Sequence, residues 1–370
     1  MELRKLEVLQ LEMPLLEAFE TSFGSVKVRK VVLVRVEERG GEEGWGEIAA
    51  GEGPWYSYET YETALLVVKK YLAPMLLTAG EVGARDFYKV VARVRGHNIA
   101  KSGVEMALWD LEAKLRGMPL YKYIGGAKRR VLSGVSIGIK KTVDRLLAII
   151  GRRLEEGYVR IKLKIKPGWD INVLEAVRKE YPDIALQVDA NAAYSLRDIS
   201  TLLKLDRFSL LMVEQPLHYE DLVDHAVLSR KLRTPVCLDE SIRGLHDAKA
   251  AYTLGAAEII NVKPGRVGGY APSLAIHDFC SKVGIGLWVG GMLESGVGRG
   301  HLVALATLPH MTYPNDISAS SRYWERDIVE PPWELRDGCL EAPQRPGIGV
   351  EVDEEALRKY LKKREEITAG

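Results

Sequence analysis

Between residues 158 and 165 the chain alternates strictly, with Val159, Ile161, Leu163 and Ile165 on one parity and Arg160, Lys162 and Lys164 on the other. Successive side chains of a strand point to opposite faces, so the pattern predicts a β-strand with one apolar and one cationic face. Further short apolar runs predict strands near 131–139, 184–189, 209–214, 234–239, 257–263 and 285–290, with helical patterns between them at 196–205, 220–232 and 270–282. Such alternation implies a parallel sheet, and seven or eight units over about 190 residues imply a (β/α) TIM-type barrel. The apolar parity of 158–165 then packs on helices, and the lysines point into the barrel mouth.

The flanks read differently. Residues 4–12 and 27–38 are rich in β-branched residues and close enough in sequence for antiparallel pairing, and helices are expected at 58–71, 83–95 and 101–116, the last ended by Gly117 and Pro119. This predicts an α+β domain up to about residue 125. From about 323 to 370 the strand–helix rhythm is lost; a short helix at 353–364 is expected there, in a segment that packs back on the first domain.

Onto this frame the charges fall in phase. Lys164, Asp189, Glu214, Asp239 and Lys263 each end an apolar run, at intervals of 25, 25, 25 and 24 residues. A charge at one strand end is ordinarily a strand meeting water. Parallel strands are covered on both faces, however, and an unpaired buried charge costs several kcal/mol, so five in phase point to a mutually compensating set. At strand C-termini they converge on one rim, where three carboxylates flanked by two amines form a divalent-cation site with a proton-transfer group on either side. Oxygen-only ligands favour Mg²⁺ or Mn²⁺ over zinc.

Composition narrows the partners. A formal charge of +1 with both signs interspersed gives no long-range field for nucleic acid or anionic lipid. The charged N-terminus and the lack of a run of about 18 apolar residues argue against export or membrane insertion. Cys237, Cys280 and Cys339 are few, odd in number and far apart, which fits a reduced cytoplasm. Only four Gln and five Asn occur, while 28% of residues are charged, a bias expected of a thermophile.

The Lys-x-Lys of Lys162 and Lys164, the VDAN of Asp189 and Asn191, the VEQP of Glu214, the LDES of Asp239 and Glu240, and the NVKPGRVGG that begins two residues before Lys263 resemble the enolase superfamily. Within its muconate-lactonizing-like subgroup the chain is most similar to the o-succinylbenzoate synthase / N-acylamino acid racemase family, along nearly its whole length. AFETSFG at 18–24, GVSIGI at 134–139, LWVGGMLESGVGR at 287–299 and SASSRYWERDIVE at 318–330 extend the match.

The resemblance implies an α/β fold: a modified (β/α) TIM-type barrel, 126–322, under an α+β capping domain, 1–125, joined by 323–370. It implies Mg²⁺, for which Mn²⁺ or another divalent metal can substitute, on Asp189, Glu214 and Asp239, with catalytic Lys164 and Lys263 on opposite sides of a small-molecule carboxylate substrate. Removing a proton α to a carboxylate concentrates charge on two oxygens, and a cation there stabilises it. Loss of a β-hydroxyl then gives o-succinylbenzoate, a reaction expected in menaquinone biosynthesis; return of the proton by Lys263 gives racemisation. Lys162, Asn191 and Glu240 are expected to orient the metal ligands. Ser136, Gly291, Met292, Phe19, Phe23, Tyr56 and Arg266 are expected around the substrate, and the family commonly forms homo-oligomers. Competing readings are a dipeptide epimerase, a cycloisomerase or an acid-sugar dehydratase, and, in another class, a noncatalytic metal-binding barrel. Against an epimerase, GGMLES lacks an Asp-x-Asp; against an inert barrel, both lysines are present.

Overall fold

The computed structural model describes residues 1–21 and 24–368, so Phe23 lies outside the described residues. The chain opens with three antiparallel strands, β1 (Leu3–Thr21), β2 (Gly24–Glu38) and β3 (Glu43–Ile48). In β2 the run Val31–Val34 is buried on both parities, because the sheet is covered on both faces. Helix α1 (Asn98–Leu115) packs on β3 and is buried for most of its length.

The barrel follows as β4 (Gly134–Ile137), β5 (Arg160–Lys164), β6 (Leu186–Asp189), β7 (Val213–Glu214), β8 (Val236–Leu238), β9 (Ile259–Val262) and β10 (Gly286–Val289). These seven form one parallel sheet in sequential order, as the apolar runs predict. Residues 311–316 stand in the eighth position and close the ring: Thr312 N–H donates to Leu287 O (2.8 Å) and Asp316 N–H to Val289 O (2.9 Å) on one side, while Asn315 O accepts from Gly134 N–H (2.7 Å) on the other. Inside the ring, Met212, Cys237, Ile259 and Trp288 form a separate apolar layer beneath the strand tips.

Two capping-domain carboxylates reach the starts of barrel helices. Glu105, on α1, accepts from the N–H groups of Tyr270 (2.7 Å) and Ala271 (2.8 Å) at the start of α2 (Tyr270–Val283). Glu47, on β3, accepts from Ser295 N–H (3.0 Å), Ser295 Oγ (2.6 Å) and Gly298 N–H (3.1 Å) at the start of α3 (Gly296–Ala306). Unsatisfied N–H groups and the helix dipole make such ends good carboxylate sites. Burial nevertheless pushes both acids up to about 7.

Several elements depart from the sequence pattern. The strand expected at 131–139 is split: Arg130–Leu132 pairs antiparallel with Cys339–Glu341 of the tail, and only Gly134–Ile137 joins the barrel. The 353–364 helix stops at Tyr360, and Leu361–Thr368 is instead β11, antiparallel to β1, where Glu7 of β1 holds Arg364. Cross-strand pairing outweighs helix propensity there. The 83–95 helix is reduced to the short turns Ala84–Asp86 and Phe87–Val90, and 196–205 is broken into 3₁₀ and α turns. Helix 58–71 begins at Tyr61, capped by Thr60, and passes into a π-turn at Val68–Leu72. On β5, Ile161, Leu163 and Ile165 are buried as expected, but Val159, just before the strand, is exposed.

Candidate active site

Strand register puts the charges in one row. Lys164 pairs with Asp189 across β5 and β6, and Asp189 with Glu214 across β6 and β7; Asp239 and Lys263 immediately follow β8 and β9. One ligand oxygen from each of Asp189, Glu214 and Asp239 can be chosen so that all lie within 4.8 Å of one another, and all three residues are buried.

Each acid has its own amine. Lys164 Nζ donates to Asp189 Oδ2 (2.6 Å), Lys162 Nζ to Glu214 Oε2 (3.0 Å) and Lys263 Nζ to Asp239 Oδ2 (2.7 Å). Burial alone would push Asp189 up, but Lys164 and Lys162 hold it below the usual carboxylate range. Asp239 is held lower still by Lys263 and Arg266. Glu214, in the middle, is pushed up to about 7 by burial and by the charge of Asp189, with Lys162 opposing. It also accepts from Gln187 Nε2 (2.9 Å) and Asn261 Nδ2 (2.7 Å).

Three crowded oxygen donors in a buried cradle, compensated by buried amines, fit a hard divalent cation such as Mg²⁺ or Mn²⁺. At one end of the row, Asn191 bridges two groups: its Oδ1 accepts from Lys164 (2.7 Å) and its Nδ2 donates to Glu240 Oε1 (2.8 Å). Burial pushes Glu240 up to about 8, with Asp239 adding to the effect. At the other end, the Tyr56 hydroxyl donates to Asp239 Oδ1 (2.8 Å) and accepts from Lys263 (3.1 Å). Burial opposes the charge on Lys263, but Asp239 beside it holds this amine protonated well above the ordinary lysine range.

A cavity of about 530 Å³ opens over this row, walled by Lys162, Lys164 and Lys263 on the barrel side. Phe19 and Tyr56 of the capping domain border it, as do Ser136, Gly291 and Met292. Gly291 has a further constraint, since a Cβ there would meet the Asp316 carbonyl oxygen at 2.7 Å. Arg266 is placed differently from the other residues expected around the substrate. It is not among the residues that line this cavity: its guanidinium donates to Asp239, to the Tyr56 hydroxyl (3.2 Å) and to the Ile242 carbonyl (2.6 Å).

Sequence reading missed Gln187, Asn261 and Asp316. The first two lie two residues before a tip residue, on the same parity, so they form the layer just below it, as Lys162 does. That signal was available. Asp316 comes from the irregular eighth segment and carries no periodic signal; it takes Lys162 and Arg160 Nη1 (2.6 Å) on its two oxygens.

Two family models cover most of the chain: the mandelate racemase / muconate lactonizing enzyme N-terminal domain at residues 4–125, and the enolase C-terminal domain-like model at 145–356. The chain is 48% identical to an o-succinylbenzoate synthase of Geobacillus stearothermophilus, over 95% of this chain and 93% of that one. It is 46% identical to an N-succinylamino acid racemase of Amycolatopsis sp, over 95% of each. A crystal structure of an enolase superfamily member from Listeria innocua superposes with a TM-score of 0.96 at 40% identity, covering all of both chains. The acid row at the barrel rim, the capping sheet above it and these likenesses agree: the chain belongs to the enolase superfamily, among the relatives named o-succinylbenzoate synthase and N-succinylamino acid racemase.

Proposed function

We propose that this protein is a Mg²⁺-dependent o-succinylbenzoate synthase, forming o-succinylbenzoate by dehydration of a cyclohexadiene carboxylate, and that the same site racemises N-succinylamino acids. The observation that carries the reading is the placement of Lys164 and Lys263 at the two ends of one acid row, both bordering one cavity. Asp189, Glu214 and Asp239 would hold the cation, which when bound supplies positive charge to the substrate carboxylate.

The protein's own groups supply the proton chemistry. Lys164 takes the α-proton, and Asn191, bonded to its amine, fixes the direction from which it does so. In the synthase reaction the β C–O bond then breaks and the hydroxyl leaves as water with the proton that Lys164 had taken, while Lys263, held protonated beside Asp239, supports the negative charge that develops before that departure. In racemisation it delivers its proton to the other face of the same carbon. A capping wall bearing Phe19 and Tyr56 limits water above that carbon. An inert metal-binding barrel would need only the carboxylates.

The test is direct. Protein incubated with Mg²⁺ and N-succinylamino acids in D₂O should place deuterium at the α-carbon, and the cyclohexadiene precursor should turn over to o-succinylbenzoate. Absence of both reactions would remove the proposal; exchange without turnover of the precursor would leave the racemase alone.

A further inference from the structure

Lys162 sits at the centre of the site, yet it occupies neither end of the acid row. Its ammonium lies 3.0 Å from Glu214 Oε2 and 3.3 Å from Asp189 Oδ2, on two of the three carboxylates that a divalent cation would need. A fixed positive charge this close to two ligands competes with a cation for them. Asp316 pulls in the opposite direction. It stands in the eighth barrel position, where its N–H is anchored to the Val289 carbonyl (2.9 Å), and its Oδ2 makes the shortest of the three carboxylate contacts to Lys162. Its other oxygen is fixed by Arg160, and the Lys162 ammonium lies 4.8 Å from the Trp288 ring centroid.

We propose that Asp316 is a positioning residue for the cation site: it takes the closest hold on the Lys162 ammonium, which also bonds Glu214, and so weakens the competition of that amine with a divalent metal for Asp189 and Glu214. The proposal rests on the reading of the three acids as metal ligands. Without the Asp316 charge, the Lys162 side chain, whose stem is flexible, settles onto the two acids and neutralises them from within.

Binding of Mn²⁺ alone to the full-length protein, followed by the electron paramagnetic resonance of free Mn²⁺, tests this without reference to turnover. Asp316→Asn, nearly isosteric, should weaken Mn²⁺ binding at least tenfold, whereas Lys162→Met should tighten it at least threefold. In the Lys162→Met background, Asp316→Asn should change the Kd less than twofold, because the group through which it acts is gone. A Kd for Asp316→Asn within twofold of wild type, or an equal loss with and without Lys162, overturns the proposal. If Asp316→Asn fails to fold by thermal melt, Lys162→Met decides: tighter binding supports the proposal, and unchanged or weaker binding overturns it. A wild-type protein that binds no Mn²⁺ removes the ligand assignment itself, an outcome distinct from a wild type that binds while Asp316→Asn binds equally well.

Discussion

The Tyr56 hydroxyl donates to Asp239 Oδ1 over 2.8 Å, tying a loop of the capping domain to an acid at the barrel rim. The same oxygen accepts from Lys263, so one phenol orients both an amine and its carboxylate. Tyr56→Phe removes one charge-assisted contact from each. We expect kcat/KM for N-succinylamino acids to fall about tenfold, the equivalent of about 1.4 kcal/mol, with little change in melting temperature. Unchanged kinetics would show that Lys263 needs no such support.

Lys164→Ala and Lys263→Ala should each abolish racemisation with the fold intact, since neither amine supports the apolar core. The expected loss is on the order of 10²–10⁴-fold or more, the usual contribution of a positioned acid or base. Circular dichroism reports the fold and chiral chromatography the turnover. Full racemase activity in either variant would remove its role in proton transfer.

Acid stability should depend on Glu7. Burial pushes this carboxyl up, but Arg364 and Arg35 outweigh burial and hold it below the usual range. A depressed folded-state pKa stabilises the protein fully above the unfolded value, about 4.3, and the benefit disappears as pH falls through and below it. Glu7→Gln should therefore lower stability by about 1.5–3 kcal/mol at neutral pH and by progressively less toward pH 3. Denaturant melts of both proteins across that range check the convergence; a constant difference would contradict it.

Gly269 cannot accept a side chain. Its φ of +106° lies where L-residues are strained, and a Cβ would meet Glu105 Oε2 at 2.2 Å. Gly269→Ala should cost about 1–3 kcal/mol from the backbone alone. It should also disturb the segment that follows Lys263, lowering kcat more than it raises KM. Wild-type kinetics together with a wild-type melt would refute this.

The scarcity of amide side chains leads us to expect a melting temperature above about 65 °C, the upper end of the ordinary mesophilic range. Calorimetry decides, and a midpoint within that range would contradict the compositional argument.

What the sequence disclosed follows from periodicity. The alternation through Arg160, Lys162 and Lys164 and the recurrence of charges to Lys263 reveal both the barrel and the row at its rim, because strand parity and strand spacing are local properties. Gln187 and Asn261 were equally accessible, two positions before the tip residues on the same parity. Asp316 was hidden because its strand position is created by ring closure between Val289 and Gly134, not by a pattern of its own. The strand Leu361–Thr368 was misread for a related reason: its partner, β1, lies at the far end of the chain. Arg266, expected from its motif beside the substrate, bonds Asp239 and the Tyr56 hydroxyl instead of lining the chamber itself, a placement that only the assembled rim defines.

Glu47 and Glu105 seat the upper domain on the starts of two barrel helices, so a hinge that swung the domains apart would strip four backbone N–H groups of their acceptors. Ligand then enters and leaves a chamber whose two halves stay clamped together, and its route runs past the rim residues, Phe19 and Tyr56 among them, and not through a gap between the domains.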